Sequence, residues 1–252
     1  MAARHRAALI RNDSRIDTGC QSTDRLIRTN SCTCSTEIDA SSIGLVGRDS
    51  MSVTFNGFGT VPTDLYNAAF MNAKTLVHKA AMSAGSLLSL PTTSPTYKNA
   101  KAAFTRFWGK RGPASVSAKL NAIYIAMVSQ DWTINYDPSE NAYAYVLTSD
   151  CVSYSKDDFT ARIAFCPPLV NTLSALGTNS AAGTIIHEIS HLVLGTEDIE
   201  YGMKSCSELE DRDKIINADN FQYYCELFQL TSLAQLPVLS DNYNKKHWPP
   251  KS

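Results

Sequence analysis

The segment from 180 to 195 constrains this chain most, because it places two histidines and a glutamate inside a strongly apolar run. The apolar residues of the run are Ile185, Ile186, Ile189, Leu192 and Val193. We predict a buried helix from Ser180 to Leu194 that ends at Gly195, since glycine commonly follows the last turn of a helix. Ionisable side chains on a buried helix are costly unless they are paired or bind a metal.

The ionisable residues of this helix form the motif HEISH, from His187 to His191. Residues four apart lie on one face of a helix, so both imidazoles can reach one metal ion. Glu188 lies beside that position, where it can accept a proton from a metal-bound water. Neutral imidazole suits zinc, so we predict one Zn2+ with a third protein ligand and an open position for water. The alternative, two surface histidines on an ordinary helix, fits poorly with the apolar surroundings.

The third ligand decides the class of zinc site. Metzincins have a histidine six residues after the second histidine, but Glu197 occupies that position. Gluzincins take a glutamate from a later helix, and three are available: Glu208, Glu210 and Glu226. The nearer segment GTEDIEYG, at 195–202, offers three more carboxylates: Glu197, Asp198 and Glu200.

The two motifs together, HEISH followed by GTEDIEYG, resemble the signature of the aspzincins, the family of deuterolysin and peptidyl-Lys metalloendopeptidase. That signature reads HExxH followed by GTxDxxYG, and this chain matches each fixed position. The resemblance implies Asp198 as third zinc ligand and Tyr201 as a hydrogen-bond donor to the oxyanion of the tetrahedral intermediate. It also implies that Glu188 is the catalytic base of a zinc-dependent endopeptidase. We see it over roughly residues 60 to 232.

Two further features of the aspzincins have counterparts here. The family has a disulfide hairpin ahead of the zinc helix, which implies a Cys151–Cys166 disulfide and an edge strand at 161–166 along which substrate pairs. In the lysine-specific members, an Asp and a Glu three residues later form an acidic pocket for the residue after the scissile bond. The matching positions are Asp219 and Gln222, so we expect substrate contacts from both and a preference for Lys that is less than strict.

The remaining pattern predicts an α+β fold that is mainly helical: a zincin-like metalloprotease with a small antiparallel sheet and the HExxH active-site helix. Helical and strand periodicities alternate along the chain after Pro62. Predicted helices follow Pro62 and Pro113 and cover Thr96–Trp108, Ser205–Ile216 and Ala218–Leu230, and predicted strands cover Trp132–Tyr136, Ala142–Thr148 and Ala161–Cys166. Residues 1–50 lack periodicity, and we expect an irregular N-terminal segment or pro-region before a peptidase domain at 51–252.

Composition limits the partners of the chain. A formal net charge of −1 gives no electrostatic argument for nucleic acid, and no apolar run reaches the length of a membrane span. Seven cysteines without a CxxC pair fit disulfides better than a cysteine-only zinc site, which points to an oxidising compartment. We therefore expect a secreted monomer that cleaves protein or peptide, although no classical signal peptide is visible.

Two other functions stay open at this point. One is a non-catalytic, zinc-stabilised structural or adhesion protein, and the other is a zinc hydrolase for a non-peptide amide. A structural site needs neither Glu188 nor Tyr201, which disfavours the first. An edge strand that can pair with an extended chain favours a peptide over the second.

Overall fold

The computed structural model describes residues 52–146, 161–172 and 174–229, in which helices dominate and four strands form one sheet. The strands are β1 (Val53–Asn56), β2 (Trp132–Tyr136), β3 (Ala144–Tyr145) and β4 (Ala161–Phe165). The helices are α1 (Asp64–Ser86), α2 (Pro95–Trp108), α3 (Pro113–Ser129), α4 (Pro167–Thr172), α5 (Ala181–Leu194), α6 (Met203–Glu208), α7 (Asp211–Lys214) and α8 (Ala218–Glu226). None of the described helices is long and apolar enough to cross a membrane. The predicted N-terminal segment, 1–50, lies outside the described residues.

The sequence predicts the starts of the long helices well, because local chemistry sets them. α2 begins at Pro95 after the cap residue Ser94, whose Oγ accepts a hydrogen bond from the Tyr97 N–H at 3.1 Å. α3 begins at Pro113. Proline is favoured in a first helical turn, where its missing N–H leaves no donor unsatisfied. Both predicted helices are confirmed.

Two aromatic residues decide which face of α1 is buried. Leu65 is 41% exposed, whereas Tyr66 and Phe70 are buried. The rings of Tyr66 and Phe70 pack against Phe165 of β4 and Trp132 of β2, with centroids 5.6 and 5.8 Å apart. Aromatic contacts of this kind add to the free energy gained from area burial, so contact with the sheet decides how the helix is turned.

The segment predicted as one helix at 205–216 forms two short helices, α6 and α7. Leu209 and Glu210 between them have extended ψ angles of 153° and 148°. The break lets Asp211 meet the end of α2, where its Oδ2 accepts a hydrogen bond from the Lys110 N–H at 3.1 Å. The Arg111 Nε donates to the Asp211 main-chain oxygen at 2.9 Å, so a tertiary contact overrides the local helical pattern.

The sheet has the strand order β1-β2-β4-β3. β1 is parallel to β2, β2 is parallel to β4, and only β3 is antiparallel to its neighbour β4. The predicted antiparallel sheet is therefore wrong, and the sheet is mixed. β1 was not predicted, and its connection to β2 through α1, α2 and α3 is the long crossover that parallel strands require. β4, predicted as the edge strand, lies inside the sheet, and β3 is the edge beside it.

α5, the helix that carries HEISH, lies in the centre of the molecule. Every residue from Ala181 to Leu192 is buried, and the helix packs against α1, α3 and α8. Ser180 caps the start, where its Oγ accepts a hydrogen bond from the Gly183 N–H at 3.0 Å. Gly195 ends the helix with a left-handed φ of 63°, a conformation that costs glycine little. The predicted helix and both of its ends are confirmed.

The carboxylate of Glu226 on α8 holds the start of α5. It accepts hydrogen bonds from the N–H groups of Asn179 and Ser180, each at 2.9 Å, and from the Ser180 hydroxyl at 3.1 Å. A Cβ at position 183 would collide with this carboxylate, which explains the glycine there. Burial raises the pKa of Glu226 to about 7, and these hydrogen bonds only partly oppose that rise.

The described cysteines carry thiols and no disulfide. Cys166, Cys206 and Cys225 are all buried. The predicted Cys151–Cys166 disulfide is not supported, because Cys166 is a free thiol at the end of β4; Cys151 lies outside the described residues. Burial raises the pKa of the Cys166 thiol to about 12, which disfavours its reactive thiolate form. These three residues therefore give no support to the predicted oxidising compartment.

We predict that Glu226 makes stability depend on pH. Its folded pKa of about 7 exceeds the ordinary value of 4.5, so the folded state keeps a proton that the unfolded state releases. This contribution is fully present below pH 4.5 and is lost as the pH rises to about 7. In Glu226→Gln the position cannot ionise. In denaturant unfolding, the free energy of unfolding of the wild type should therefore fall by about 2 kcal/mol relative to that of the variant between pH 5 and 7.5.

The matched control for this experiment is Glu208→Gln, which changes an exposed carboxylate of α6. We expect the difference between this control and wild type to be independent of pH over the same range. A constant difference for Glu226→Gln as well would show that Glu226 stays ionised in the folded protein.

Candidate metal site and catalytic cleft

The two histidines of α5 are each held by a hydrogen bond at Nδ1. His187 Nδ1 lies 2.7 Å from Oδ1 of Asp219, and His191 Nδ1 lies 2.7 Å from the main-chain oxygen of Thr196. A carboxylate and a carbonyl oxygen only accept hydrogen bonds, so both Nδ1 atoms donate. In the neutral rings each Nε2 therefore carries a lone pair. The two Nε2 atoms face each other at 3.1 Å.

Asp198 brings a third electron-rich atom to the same point. Its Oδ1 lies 3.0 Å from Nε2 of His187 and 3.4 Å from Nε2 of His191, and its side chain is only 11% exposed. Three such atoms repel one another in a buried space unless a cation lies among them. One ligand atom from each residue lies within 4.8 Å of the others, so one metal ion can contact all three. Two imidazoles and a carboxylate form a donor set that zinc takes in catalytic sites.

The electrostatics of the cluster favour positive charge. Burial lowers the pKa of His187, but its contacts with Asp198 and Asp219 and the charge of Glu188 outweigh burial and raise that pKa to about 10. Burial would raise the pKa of Asp198, but contacts with the two histidines hold it well below its usual range. The surroundings that favour a proton on His187 also favour a metal cation in its place.

The loop that carries Asp198 is paired with the segment leading into α8. The Glu197 N–H donates to the main-chain oxygen of Ile216 at 2.7 Å, and the Ala218 N–H donates to the Glu197 oxygen at 3.0 Å. These two bonds form an isolated parallel bridge between Glu197 and Asn217. Asp198 is therefore held in place by main-chain pairing on its N-terminal side.

The side chain of Asn217 holds the other side of this loop. Its Oδ1 accepts hydrogen bonds from the N–H groups of Ile199 and Glu200 at 3.0 and 3.1 Å, and its Nδ2 donates to the Glu200 oxygen at 3.1 Å. Asn217 is fully buried. A buried amide with three main-chain partners fixes the backbone on both sides of it, so the direction of the Asp198 side chain depends on Asn217.

Asp219 lies behind His187 and not in the cleft. Its Oδ1 contacts His187 Nδ1, its Oδ2 accepts a hydrogen bond from the Gly202 N–H at 2.9 Å, and the residue is fully buried. The predicted substrate-binding role of Asp219 is not supported by this position, because both oxygens have partners inside the protein. A carboxylate on the far nitrogen of a histidine orients the ring and makes it a stronger metal ligand.

A cleft opens beside the two histidines and brings the other predicted residues together. Its lining includes His187, Glu188, Tyr201 and Gln222, together with Thr184 and residues 142–144 at the start of β3. Glu188 is 3% exposed, so its carboxylate is almost enclosed. The Tyr201 ring lies nearly parallel to that of His187, at 14° and 6.4 Å between centroids.

Gln222 forms a buried part of this cleft. Its Nε2 lies 3.4 Å from both Asn179 Oδ1 and Glu226 Oε1, to which it donates. Its Oε1 accepts no hydrogen bond from any residue that the structure describes. The cleft therefore contains a neutral acceptor at the position where a second carboxylate would add charge.

The other candidates for the third ligand lie elsewhere. Glu197 and Glu200 are exposed, Glu208 and Glu210 form surface ion pairs, and Glu226 caps α5. Sequence reasoning missed two residues, Thr196 and Asn217. Thr196 belongs to the fixed GT pair of the second motif, which is a usable signal. Asn217 directly precedes the predicted α8, and nothing local distinguishes it from an ordinary helix cap.

Comparison with known proteins agrees with this arrangement. The sequence model of the aspzincins, described as lysine-specific metallo-endopeptidase, matches residues 94–226, which include both histidines, Asp198 and Tyr201. This chain belongs to the aspzincin family. The match begins at the cap of α2 and ends with α8, so it includes every residue that lines the cleft.

Curated relatives share shorter segments with this aspzincin. An extracellular protease of Aeromonas hydrophila is 36% identical over 91 residues, 32% of this chain and 26% of the relative. A peptidyl-Lys metalloendopeptidase of Armillaria mellea is 36% identical over 83 residues, 31% and 23% of the two chains. A peptidyl-Lys metalloendopeptidase of Grifola frondosa is 46% identical over 55 residues, which are 20% of this chain and 16% of the relative. The chain thus spans about a quarter or less of the length of these relatives.

We predict a graded loss of metal binding when the cluster is changed. Asp198→Ala removes a ligand atom and should leave no stoichiometric zinc. Asp219→Asn keeps all three ligand atoms but weakens the hold on His187, so zinc affinity should fall about 10–100-fold. Competition with a chromophoric chelator measures the zinc affinity of both variants.

The control is Asp64→Asn at the exposed start of α1, which should bind zinc as the wild type does. Stoichiometric zinc in purified Asp198→Ala would exclude Asp198 as a ligand. An unchanged zinc affinity in Asp219→Asn would exclude its orienting role.

Proposed function

We propose that this aspzincin is a zinc-dependent endopeptidase that binds one Zn2+ through His187, His191 and Asp198. The observation that carries the proposal is the convergence of both Nε2 lone pairs and the Asp198 carboxylate next to a cleft lined by Glu188 and Tyr201. A structural zinc site needs neither an enclosed carboxylate nor an open cleft beside the metal. The non-catalytic alternative is therefore not favoured.

Glu188 is proposed as the general base. When bound, zinc lowers the pKa of its water to about 7 and polarises the peptide carbonyl. The Glu188 carboxylate accepts the proton of the attacking water and then passes it to the leaving amine nitrogen. Its near-complete burial keeps bulk water from competing for that proton.

Tyr201 is proposed to bind the oxyanion. Its hydroxyl would donate a hydrogen bond to the oxygen that becomes negative as the carbonyl carbon turns tetrahedral. The parallel packing of its ring on His187 supports this assignment, since it keeps the phenol on the cleft side of the metal cluster. Removing one such donor typically costs 10²–10³-fold in kcat.

Edge strand β3 is proposed to align the substrate. Among the described strands, β3 pairs only with β4, and residues 142–144 line the cleft. An exposed strand edge presents main-chain N–H and C=O groups that an extended peptide can pair with. This supports a peptide or protein substrate over a non-peptide amide, and it moves the proposed pairing edge from β4 to β3.

We infer that the preference for Lys after the scissile bond is weak. Two relatives carry the name peptidyl-Lys metalloendopeptidase, and the family description is lysine-specific, so a preference for Lys is the natural starting point. In this chain Gln222 contributes a neutral amide to the cleft, and both Asp219 oxygens are engaged by His187 and Gly202. A lysine ammonium would therefore meet an acceptor but no unengaged carboxylate from these two positions.

We also propose that the protein acts as a secreted monomer. The name of the Aeromonas relative, extracellular protease, supports an extracellular site of action. The three described cysteines, which are thiols, add no support for secretion. Gel filtration would test the monomeric state, and fractionation of culture medium would test secretion.

We predict that Glu188→Gln retains zinc but loses most peptidase activity. The amide has the shape of the carboxylate but cannot accept the proton, so kcat on casein should fall about 10²–10⁴-fold. Elemental analysis of the same preparation checks that zinc is still bound. Glu208→Gln, on the surface, is the matched control. Cleavage by Glu188→Gln at a rate near that of wild type would exclude Glu188 as the base.

We predict that Gln222→Glu sharpens the preference for Lys. A carboxylate in the cleft would form a charge-assisted hydrogen bond with the substrate ammonium, so kcat/KM for peptides with Lys after the scissile bond should rise about tenfold over neutral residues. Mass spectrometry of a peptide library gives the kcat/KM values for Lys and for neutral residues in one experiment, and hence their ratio.

Asn121→Asp makes the same change from amide to carboxylate on the exposed face of α3 and should leave the ratio unchanged. An equal ratio in wild type and Gln222→Glu would show that position 222 does not contact the substrate side chain.

A further inference from the structure

A second concave region lies between α2, α6 and the end of α7, and it shares no lining residue with the metal cleft. Its polar lining consists only of hydrogen-bond donors and hydroxyl groups. These residues are Lys98, Lys101, Arg106, Lys214, Tyr97, Thr105 and Ser207. No carboxylate of the described residues lines it. Four cations around one concavity, in a chain with a net charge of −1, are a local concentration of charge that the composition does not predict.

Three neighbouring acidic residues pair with cations outside this pocket. α2 contains no acidic residue. On the facing segment, Glu208 pairs with Lys204 at 3.8 Å, and Glu210 pairs with Arg212 at 3.2 Å. Asp213 also contacts Arg212, at 3.5 Å. The carboxylates of Glu208, Glu210 and Asp213 therefore face cations outside the pocket lining, whereas the charge of Asp211 acts on Lys214.

Lys214 gives the pocket a buried cation. It is 6% exposed, and its Nζ donates to the main-chain oxygen of Arg106 at 3.1 Å. Burial lowers the pKa of Lys214, while the charge of Asp211 acts in the opposite direction. The Asp211 carboxylate also accepts the Lys110 N–H. Burying an ammonium group costs free energy, and an anion in the pocket would offset that cost.

The remaining cations are partly ordered by their neighbours. Lys101 Nζ lies 5.5 Å from the centre of the Phe104 ring, and the Arg106 guanidinium lies 5.6 Å from that of Phe107. Contact with an aromatic face restricts a long side chain, which reduces the entropy lost when it binds a ligand. The pocket is thus partly organised before any anion enters.

We propose that this pocket binds a tetrahedral oxyanion, a phosphate or sulfate group. Such a group offers several acceptor oxygens and one or two negative charges, which matches a lining of ammonium, guanidinium and hydroxyl donors. A peptide carboxylate offers fewer acceptors and less charge. The group arrives either as the free ion or attached to a protein, and both forms present the same chemistry to the pocket. The site is independent of the proposed peptidase activity.

The test is thermal unfolding of the zinc-loaded chain in phosphate against chloride at equal ionic strength. Phosphate should raise Tm by on the order of 3 °C at a tenfold excess over its dissociation constant. The double variant Lys98→Gln/Lys101→Gln should lose this rise, because both side chains line the pocket. Lys79→Gln, an exposed lysine of α1, is the matched control and should keep it.

A second arm separates the two sources of the anion. A serine-phosphorylated peptide is compared with its unphosphorylated form and with inorganic phosphate on the same three proteins. Stabilisation by phosphate alone assigns the pocket to the free ion, and stabilisation by the phosphopeptide beyond phosphate assigns it to a modified protein. A phosphate effect that is equal in all three proteins, or equal to that of chloride, overturns the proposal.

Discussion

The hydrogen bonds at the Nδ1 atoms of His187 and His191 are the interactions on which the rest of this site depends. Because both partners are acceptors, both imidazoles present their Nε2 lone pairs to one point. Two lone pairs and a carboxylate at 3.0–3.4 Å are stable together only around a cation. These polar groups therefore favour positive charge among them, which a metal ion would supply.

The partners of those nitrogens come from segments after α5, and this explains the arrangement of the C-terminal part of the fold. Thr196 belongs to the loop that carries Asp198, and Asp219 belongs to α8. Asn217, directly before α8, holds the same loop from behind. Glu226, at the other end of α8, caps α5. α8 and the residue directly before it therefore fix the start of α5, the orientation of His187 and the position of Asp198.

Local chemistry explains which predictions were correct. The helices that begin at Ser–Pro or Gly–Pro and the end of α5 at Gly195 follow from capping and backbone preferences within a few residues. Predictions that depended on distant partners were wrong. The sheet is mixed because β2 is parallel to both β1 and β4, whereas β3 is antiparallel to β4. Among the described strands, β3 takes the edge position predicted for β4. The substrate-binding role of Asp219 stays a prediction, but nothing local indicates the contact that His187 makes with its carboxylate.

The sequence by itself determined the helix that carries HEISH, the composition of the donor set and membership of the aspzincin family. Those properties depend on residue spacing along one helix and on a second motif a few residues further on. Only the tertiary structure decided which of the carboxylates at 197, 198 and 200 points at the histidines. It also decided that Asp219 contacts His187 while Gln222 lines the cleft. The reason is that both depend on how α8 packs against α5, and side-chain direction across a helix interface is not encoded in local periodicity.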